Sequence, residues 1–312
     1  MSAGSANGAL PQPPNLLVVG VAKAATTSLF RYLAQHPDIF PADLKELRYF
    51  IPLRYNEPLE PFESYTAHFR GRSRERYAVE ATPGYFPGGR AVAEGIDRTL
   101  PDARVIVSLR DPSDRCWSWF RFVKSRVRIP RDMTFDSYLD RCEELHRRGV
   151  DGEREHQPFW GMGGGCYASW LPSWAEVFED RLRVVYFDDL VKDPQATVSN
   201  LCQWLELDTE PTTRFDYAVD NQSEQYRLKA LQLAALGLNR RAERFFTRHR
   251  VVKRSLKSVY DLTNSRRQAV SHSAESWARL EEFYRPHSEA LSRQLTELGM
   301  TLQPPWVPQA NP

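Results

Sequence analysis

"LLVVGVAKAATTSLFRYL", residues 16–33, is the stretch on which the fold turns. Its apolar run ends at Gly20. By Thr27 a helical pattern has begun, with Leu29, Phe30 and Leu33 on one side, and it stops before Pro37. A strand, a short loop and a helix form a cradle for phosphate-like groups, because a helix start offers unpaired N–H groups and a positive dipole end. The nucleoside triphosphatase form of this turn, GxxxxGK[ST], is absent. Lys23 comes too early, and Ala24 and Ala25 stand where glycines are expected. The loop predicts a phosphate-like ligand that is not a nucleoside triphosphate.

Outward from this stretch, similar runs recur at "YAVEAT" (77–82), "ARVIVSLR" (103–110) and "LRVVYF" (182–187), while the first begins at Asn15. They are continuous rather than alternating, which suits parallel strands covered on both faces. Helical patterns over 27–35, 169–178 and 194–205 alternate with them. The expected architecture is α/β, in layers with right-handed crossovers. No repeat or Gly/Ser linker divides residues 15–302, so one domain is expected there. The proline-rich residues 1–14 read as a disordered tail and 303–312 as an extended one. From Gln222 the chain reads as helix and basic loop, a helical cap. A closing amphipathic helix carries Trp277, Leu280, Tyr284, Leu291 and Leu295, and an interruption is expected near Pro286.

Composition narrows the function classes. An apolar fraction of 41% with 26% charged residues is ordinary for a globular chain, and a net charge of +2 gives no argument for nucleic acid. No apolar run reaches membrane-spanning length, and the first residues lack the basic-then-apolar order of a secretion signal. Cys116, Cys142, Cys166 and Cys202 form no CxxC pair, and no HExxH pattern occurs. Free thiols in a reducing cytoplasm, with no metal site, are the expectation. Nothing in the sequence sets an oligomeric state.

Ligands of open parallel sheets bind beyond the carboxyl ends of the strands. A second loaded segment falls at such an end: "VSLRDPSDRCWSWF", residues 107–120, where Arg110 closes a strand and Asp111-Pro112 opens a helix. Arginine grips phosphate with two parallel bonds, and the hydroxyl of Ser118 adds a donor from the helix. Taken singly, each segment has a plainer reading: Lys23 as a solvated turn residue, and Arg110-Asp111 as a surface ion pair.

Together the two segments resemble the PAPS-dependent sulfotransferases, where PAPS is 3′-phosphoadenosine 5′-phosphosulfate. The resemblance is closest to the branch of the heparan sulfate N- and 3-O-sulfotransferases and their bacterial relatives. "GVAKAATTSLFRYLAQHPDI" is similar to that family's 5′-phosphosulfate loop and "LRDPSDRCWSWF" to its 3′-phosphate motif. "KELRYF", "VEATPGYF", "GGCYASWLPSWAEVF", "LRVVYFDDLVKDP" and "LCQWLELD" follow in family order, so the likeness runs from about residue 15 to residue 208, and "LEEFYRPHSEALSRQL" adds a looser match.

The resemblance implies a P-loop-like three-layer fold, PAPS as co-substrate and no metal. It implies that Lys23, Ala24, Ala25, Thr26, Thr27 and Ser28 hold the 5′-phosphosulfate, with Lys23 stabilising charge on the departing phosphate. Arg110 and Ser118 would hold the 3′-phosphate. Glu46 matches the family's catalytic glutamate, and a carboxylate can take the acceptor's proton as sulfur is attacked. Glu80 is a rival base or a support residue. The basic run 240–257 has eight Lys or Arg in eighteen positions. It is either a solvated or polyanion-contacting face or a lid over the nucleotide carrying Arg248, Arg250 and Lys253.

Departures bear on the acceptor. Ala24 and Ala25 replace glycines, so the loop is expected to avoid positive φ there and to enter its helix early. Arg48 takes the family's histidine position, and Ala81 takes that of a lysine in the heparan enzymes. The expected acceptor is a hydroxyl of a sugar, glycolipid or secondary-metabolite alcohol, with an amine as a further option. Two rivals stand beside this reading: a P-loop kinase, which lacks its GK[ST] here, and a non-enzymatic basic protein that binds anionic polymer through 240–257.

Overall fold

The computed structural model describes residues 12–218 and 273–300, together with 225–226, 265–266, 303 and 306–307. Leu16–Gly20 forms strand β1, and all five residues are buried. The other strands are β2 (Ile39–Pro41), β3 (Tyr77–Ala81), β4 (Arg104–Leu109) and β5 (Leu182–Tyr186). They make one parallel sheet in the order β2-β3-β1-β4-β5, with Leu16 opposite both Val79 and Arg104. The chain builds to one side of β1 and then crosses to the other. The loops leaving β1, β3 and β4 therefore share one end of the sheet, around a topological switch point.

The helices of the described residues are α1 (Thr26–Leu33), α2 (Phe62–Thr66), α3 (Gly89–Thr99), α4 (Pro112–Ser125), α5 (Phe135–Arg147), α6 (Leu171–Phe178), α7 (Phe187–Lys192), α8 (Pro194–Trp204) and α9 (Ala274–Glu297). Alternate residues of the strands feed opposite layers, as the two-residue period requires. Leu17, Val19, Val105 and Val107 pack with Ile96 of α3 and with Trp174 and Phe178 of α6. Leu16, Val18, Val79 and Ile106 pack with Leu29 and Leu33 of α1 and Val198 and Leu201 of α8. A further apolar cluster joins α4, α5 and α9 through Phe120, Tyr138, Leu280 and Tyr284. The three-layer α/β expectation holds, and the four expected strands occur with ends within a residue or so of the reading.

Several local expectations need correction. The closing helix is not interrupted at Pro286, because α9 runs through it. A proline inside a helix costs roughly 3 kcal/mol. Here Leu280 and Tyr284 before it and Leu291 and Leu295 after it are all buried, and each such side chain contributes about 1.5–3 kcal/mol. The helix expected from residue 169 starts at Leu171, after a short 3₁₀ turn over Tyr167–Ser169. Strand β2 was not anticipated. Beyond residue 222, Gln225–Tyr226 pairs antiparallel with Ser265–Arg266. In the C-terminal tail Val307 is buried, and the Trp306 indole donates to Asp188 at 2.9 Å. All four cysteines are free and buried. No helix among the described residues is long and apolar enough to cross a membrane.

Candidate active site

The loop after β1 is shaped by its neighbour β4. A Cβ on Gly20 would lie 2.6 Å from the Cβ of Phe86, so only glycine fits where the strand ends. The Val21 N–H then donates to the Ser108 carbonyl at 2.8 Å. The buried Ser108 hydroxyl donates to the Ala24 carbonyl at 2.7 Å, and Arg110 Nη1 donates to the Lys23 carbonyl at 3.2 Å. These bonds hold two loop carbonyls back toward β4.

Held this way, the loop adopts left-handed backbone at Lys23 (φ 76°) and Ala25 (φ 57°). The expectation that its alanines avoid positive φ is therefore wrong at Ala25. The penalty for a non-glycine residue there is about 1–2 kcal/mol. The bonds from β4 over-determine the turn and hold it there. Ala24 is braced internally, since its N–H is taken by the Val21 carbonyl at 3.1 Å. Ala25 caps α1 without a side-chain bond, and no acidic residue occupies the first turn. The N–H groups of Thr26, Thr27 and Ser28 thus lie in the first turn of a helix whose dipole favours an anion. Thr26 and Ser28 are buried and Thr27 is half-buried.

Positive charge gathers beside this turn. Burial, with the charges of Arg110, Arg126 and Arg121, lowers the Lys23 amine to about 8, while the Glu46 charge acts in the opposite direction. The Lys23 amine sits 4.7 Å from the centre of the Phe122 ring. Arg110 stacks on Phe187 at 4.3 Å, pairs with Asp114 at 3.3 Å, and keeps a buried Nε–H with no partner among the described residues. An orphan buried donor of this kind costs free energy unless a ligand or water answers it. Ser118 is half-buried midway along α4, two turns beyond Arg110. Sequence reasoning missed Arg121 and Arg126. The available signal was helical spacing, because Arg121 follows Ser118 by three residues on α4 and so shares its face.

Glu46 reaches the same region from the segment after β2. Its N–H donates to the Ala81 carbonyl at 3.1 Å, and the Arg48 N–H donates to Thr82 Oγ1 at 3.2 Å. Both residues have left-handed backbone, φ 65° and 62°, so the end of β3 pins a strained turn. The Glu46 carboxylate lies 3.3 Å from Lys45 Nζ and 3.2 Å from Arg48 Nη2. Burial pushes its pKa up, but the two cations together outweigh this and hold it below the ordinary value. It is therefore ionised at neutral pH.

Glu80 is fully buried beneath that turn and accepts from Tyr65 Oη and Thr82 Oγ1, each at 3.1 Å. Burial pushes its pKa up to about 7, opposed by bonds from Tyr85, Thr82 and Tyr65 and by the Lys45 charge. Thr82 gives its only proton to Glu80 and accepts from Arg48, so Glu80 orients the turn that carries Glu46. The fold thus brings the 23–28 loop, Arg110 and Glu46 to one end of the sheet. Arg248, Arg250 and Lys253 lie outside the described residues.

The model of the family described as "Sulfotransferase family" matches residues 62–211, just under half of the chain. The bifunctional heparan sulfate N-deacetylase/N-sulfotransferase 1 of Caenorhabditis briggsae is 26% identical over 204 residues, covering 64% of this chain and 23% of that protein. The membrane-associated sulfotransferase kil1 of Dictyostelium discoideum is 28% identical over 163 residues, 49% of this chain and 34% of that protein. The chain therefore spans about a third or less of the length of these relatives. A sulfotransferase crystal structure from Alicyclobacillus acidocaldarius shares the fold, with TM-score 0.57, 24% identity, and coverage of 75% of this chain and 95% of that one.

Proposed function

We propose that this chain, related in sequence and fold to the sulfotransferases, moves a sulfuryl group from PAPS to an acceptor hydroxyl or amine and releases 3′,5′-ADP. The observation that carries the reading is the meeting of Lys23, Arg110 and the ionised Glu46 around an uncapped helix start at the switch point. The first turn of α1 suits the 5′-phosphosulfate. The orphan Arg110 Nε–H and the Ser118 hydroxyl suit the 3′-phosphate that distinguishes PAPS from ATP.

In the reaction the acceptor oxygen forms a new S–O bond as the bond from sulfur to the bridging phosphate oxygen breaks. Glu46 takes the acceptor's proton. The electron pair of the broken bond stays on the phosphate oxygen, where the Lys23 ammonium and the α1 N–H groups stabilise it. These groups supply the field that Mg²⁺ supplies in phosphoryl transfer, so the reaction needs no divalent metal. The acceptor class is a sugar, glycolipid or secondary-metabolite alcohol. Four buried free thiols support a reducing, cytoplasmic setting.

Glu46→Gln tests the roles because it keeps the shape and removes the base. Turnover should fall about 10²–10⁴-fold while 3′,5′-ADP binding stays unchanged. Full turnover in a folded variant would move the base elsewhere, with Glu80 the next residue to replace.

A further inference from the structure

We infer that the groove beside Arg48 is the acceptor site and that it takes a compact, uncharged, hydroxylated molecule rather than a polyanionic chain. This inference rests on the sulfuryl-transfer reading above. The groove encloses about 540 Å³, between a wall bearing Leu47, Arg48 and Tyr49 and a wall bearing Ser64, His68 and Arg70. That volume lies within the roughly 300–1,000 Å³ of single small-molecule sites.

Arg48 connects the groove to the chemistry. It lines the cavity, and its Nη2 lies 3.2 Å from the Glu46 carboxylate. A molecule seated there is separated from the proposed base by that one side chain, and its reacting hydroxyl extends past Arg48 to meet the carboxylate. The Tyr49 ring stacks on Tyr65 with centroids 4.4 Å apart and planes 14° apart, and the Tyr49 hydroxyl is anchored to the Glu60 carbonyl at 2.9 Å. A fixed aromatic surface of this kind suits the apolar face of a sugar ring or a small alicyclic alcohol.

Charge selects against polyanions. The lining carries two carboxylates, Asp43 and Glu60, and two guanidinium groups, Arg48 and Arg70. Asp43 is hydrogen-bonded to His68 at 2.6 Å, and Arg48 is already engaged by Glu46. A uronate or sulfated polymer, with negative charge on repeated rings, needs an excess of cations along its path. The lining holds as many carboxylates as guanidinium groups and so offers no such excess, whereas its polar groups can still bond hydroxyls.

The test compares uncharged p-nitrophenyl glycosides with a uronate-containing hexasaccharide as acceptors, using PAPS and the full chain. Ser64→Trp fills the groove from the exposed face of α2, and Gln195→Trp, on an exposed position of α8 outside the groove, is the control. An uncharged glycoside should be sulfated in preference to the hexasaccharide. Ser64→Trp should lower its kcat/KM about tenfold or more, and Gln195→Trp should leave it unchanged. Binding of 3′,5′-ADP should be equal in all three proteins, which also reports that each is folded. Preference for the hexasaccharide, transfer to none of the uncharged glycosides, or indifference to Ser64→Trp overturns the groove assignment. A wild-type chain that fails to bind 3′,5′-ADP overturns the sulfuryl-transfer reading instead.

Discussion

Replacing Glu80 by glutamine should flatten the pH dependence of stability. The wild-type carboxyl is fully buried and its pKa is raised from 4.5 to about 7, chiefly by burial. Tyr65 and Tyr85, the Thr82 hydroxyl and the Lys45 charge surround it, and none of these reverses the rise. Between those two values the folded chain keeps the proton and the unfolded chain has lost it. The stabilisation is thus fully present below about pH 4.5 and is lost as pH rises toward 7. One pH unit over that interval is worth about 1.4 kcal/mol, which gives a total of roughly 3 kcal/mol. Glutamine does not titrate, and its carbonyl and amide can still bond Tyr65 and Thr82. Urea denaturation at pH 5 and pH 8 measures the difference between the two proteins, in which shared titrations cancel. The variant should gain about 2–3 kcal/mol relative to wild type between the two conditions. Parallel stability curves would refute the account of Glu80 as a buried, protonatable support.

Two further outcomes follow from the charge cluster and the proposed mechanism. Lys23 is lowered to about 8, so it is charged below that pH and neutral above it. Wild-type affinity for 3′,5′-ADP should weaken as pH rises past 8, and Lys23→Ala should bind more weakly at pH 7 without that step, as calorimetry across pH 7–9.5 would show. Turnover should survive EDTA, because Lys23 and the start of α1 supply the stabilising field. Activity lost to EDTA and restored by Mg²⁺ would favour the kinase reading.

The legible parts of the sequence were those governed by local pattern. Continuous apolar runs such as Leu16–Val19, short and closed by a glycine, read as strands covered on both faces, and Gly20 with Pro37 bounded the first strand–loop–helix unit. Strand β2 escaped because it is three residues long, ends in Pro41 and lies at the sheet edge, where pattern is weakest. Ala25 and Pro286 were misread for one reason: local propensity was overruled by tertiary contact. Bonds from β4 hold Ala25 in left-handed backbone, and buried residues on both sides carry α9 through its proline. At the site, Lys23, Arg110 and Glu46 stood out through their motifs. The Glu80–Thr82–Arg48 chain of bonds, the Arg121 and Arg126 charges and the groove depend on segments far apart in sequence, and only the fold assembles them.

The most direct test of sulfuryl transfer from PAPS is calorimetric titration of the chain with 3′,5′-ADP and with 5′-AMP, for wild type and for Arg110→Ala. Wild type should prefer 3′,5′-ADP, because Arg110 and Ser118 meet a group that 5′-AMP lacks. Charge-assisted bonds of this kind contribute about 1.5–3 kcal/mol, so Arg110→Ala should weaken 3′,5′-ADP roughly ten- to a hundredfold and leave 5′-AMP almost unchanged. Equal affinity of wild type for the two nucleotides, or equal weakening of both by Arg110→Ala, would contradict the account.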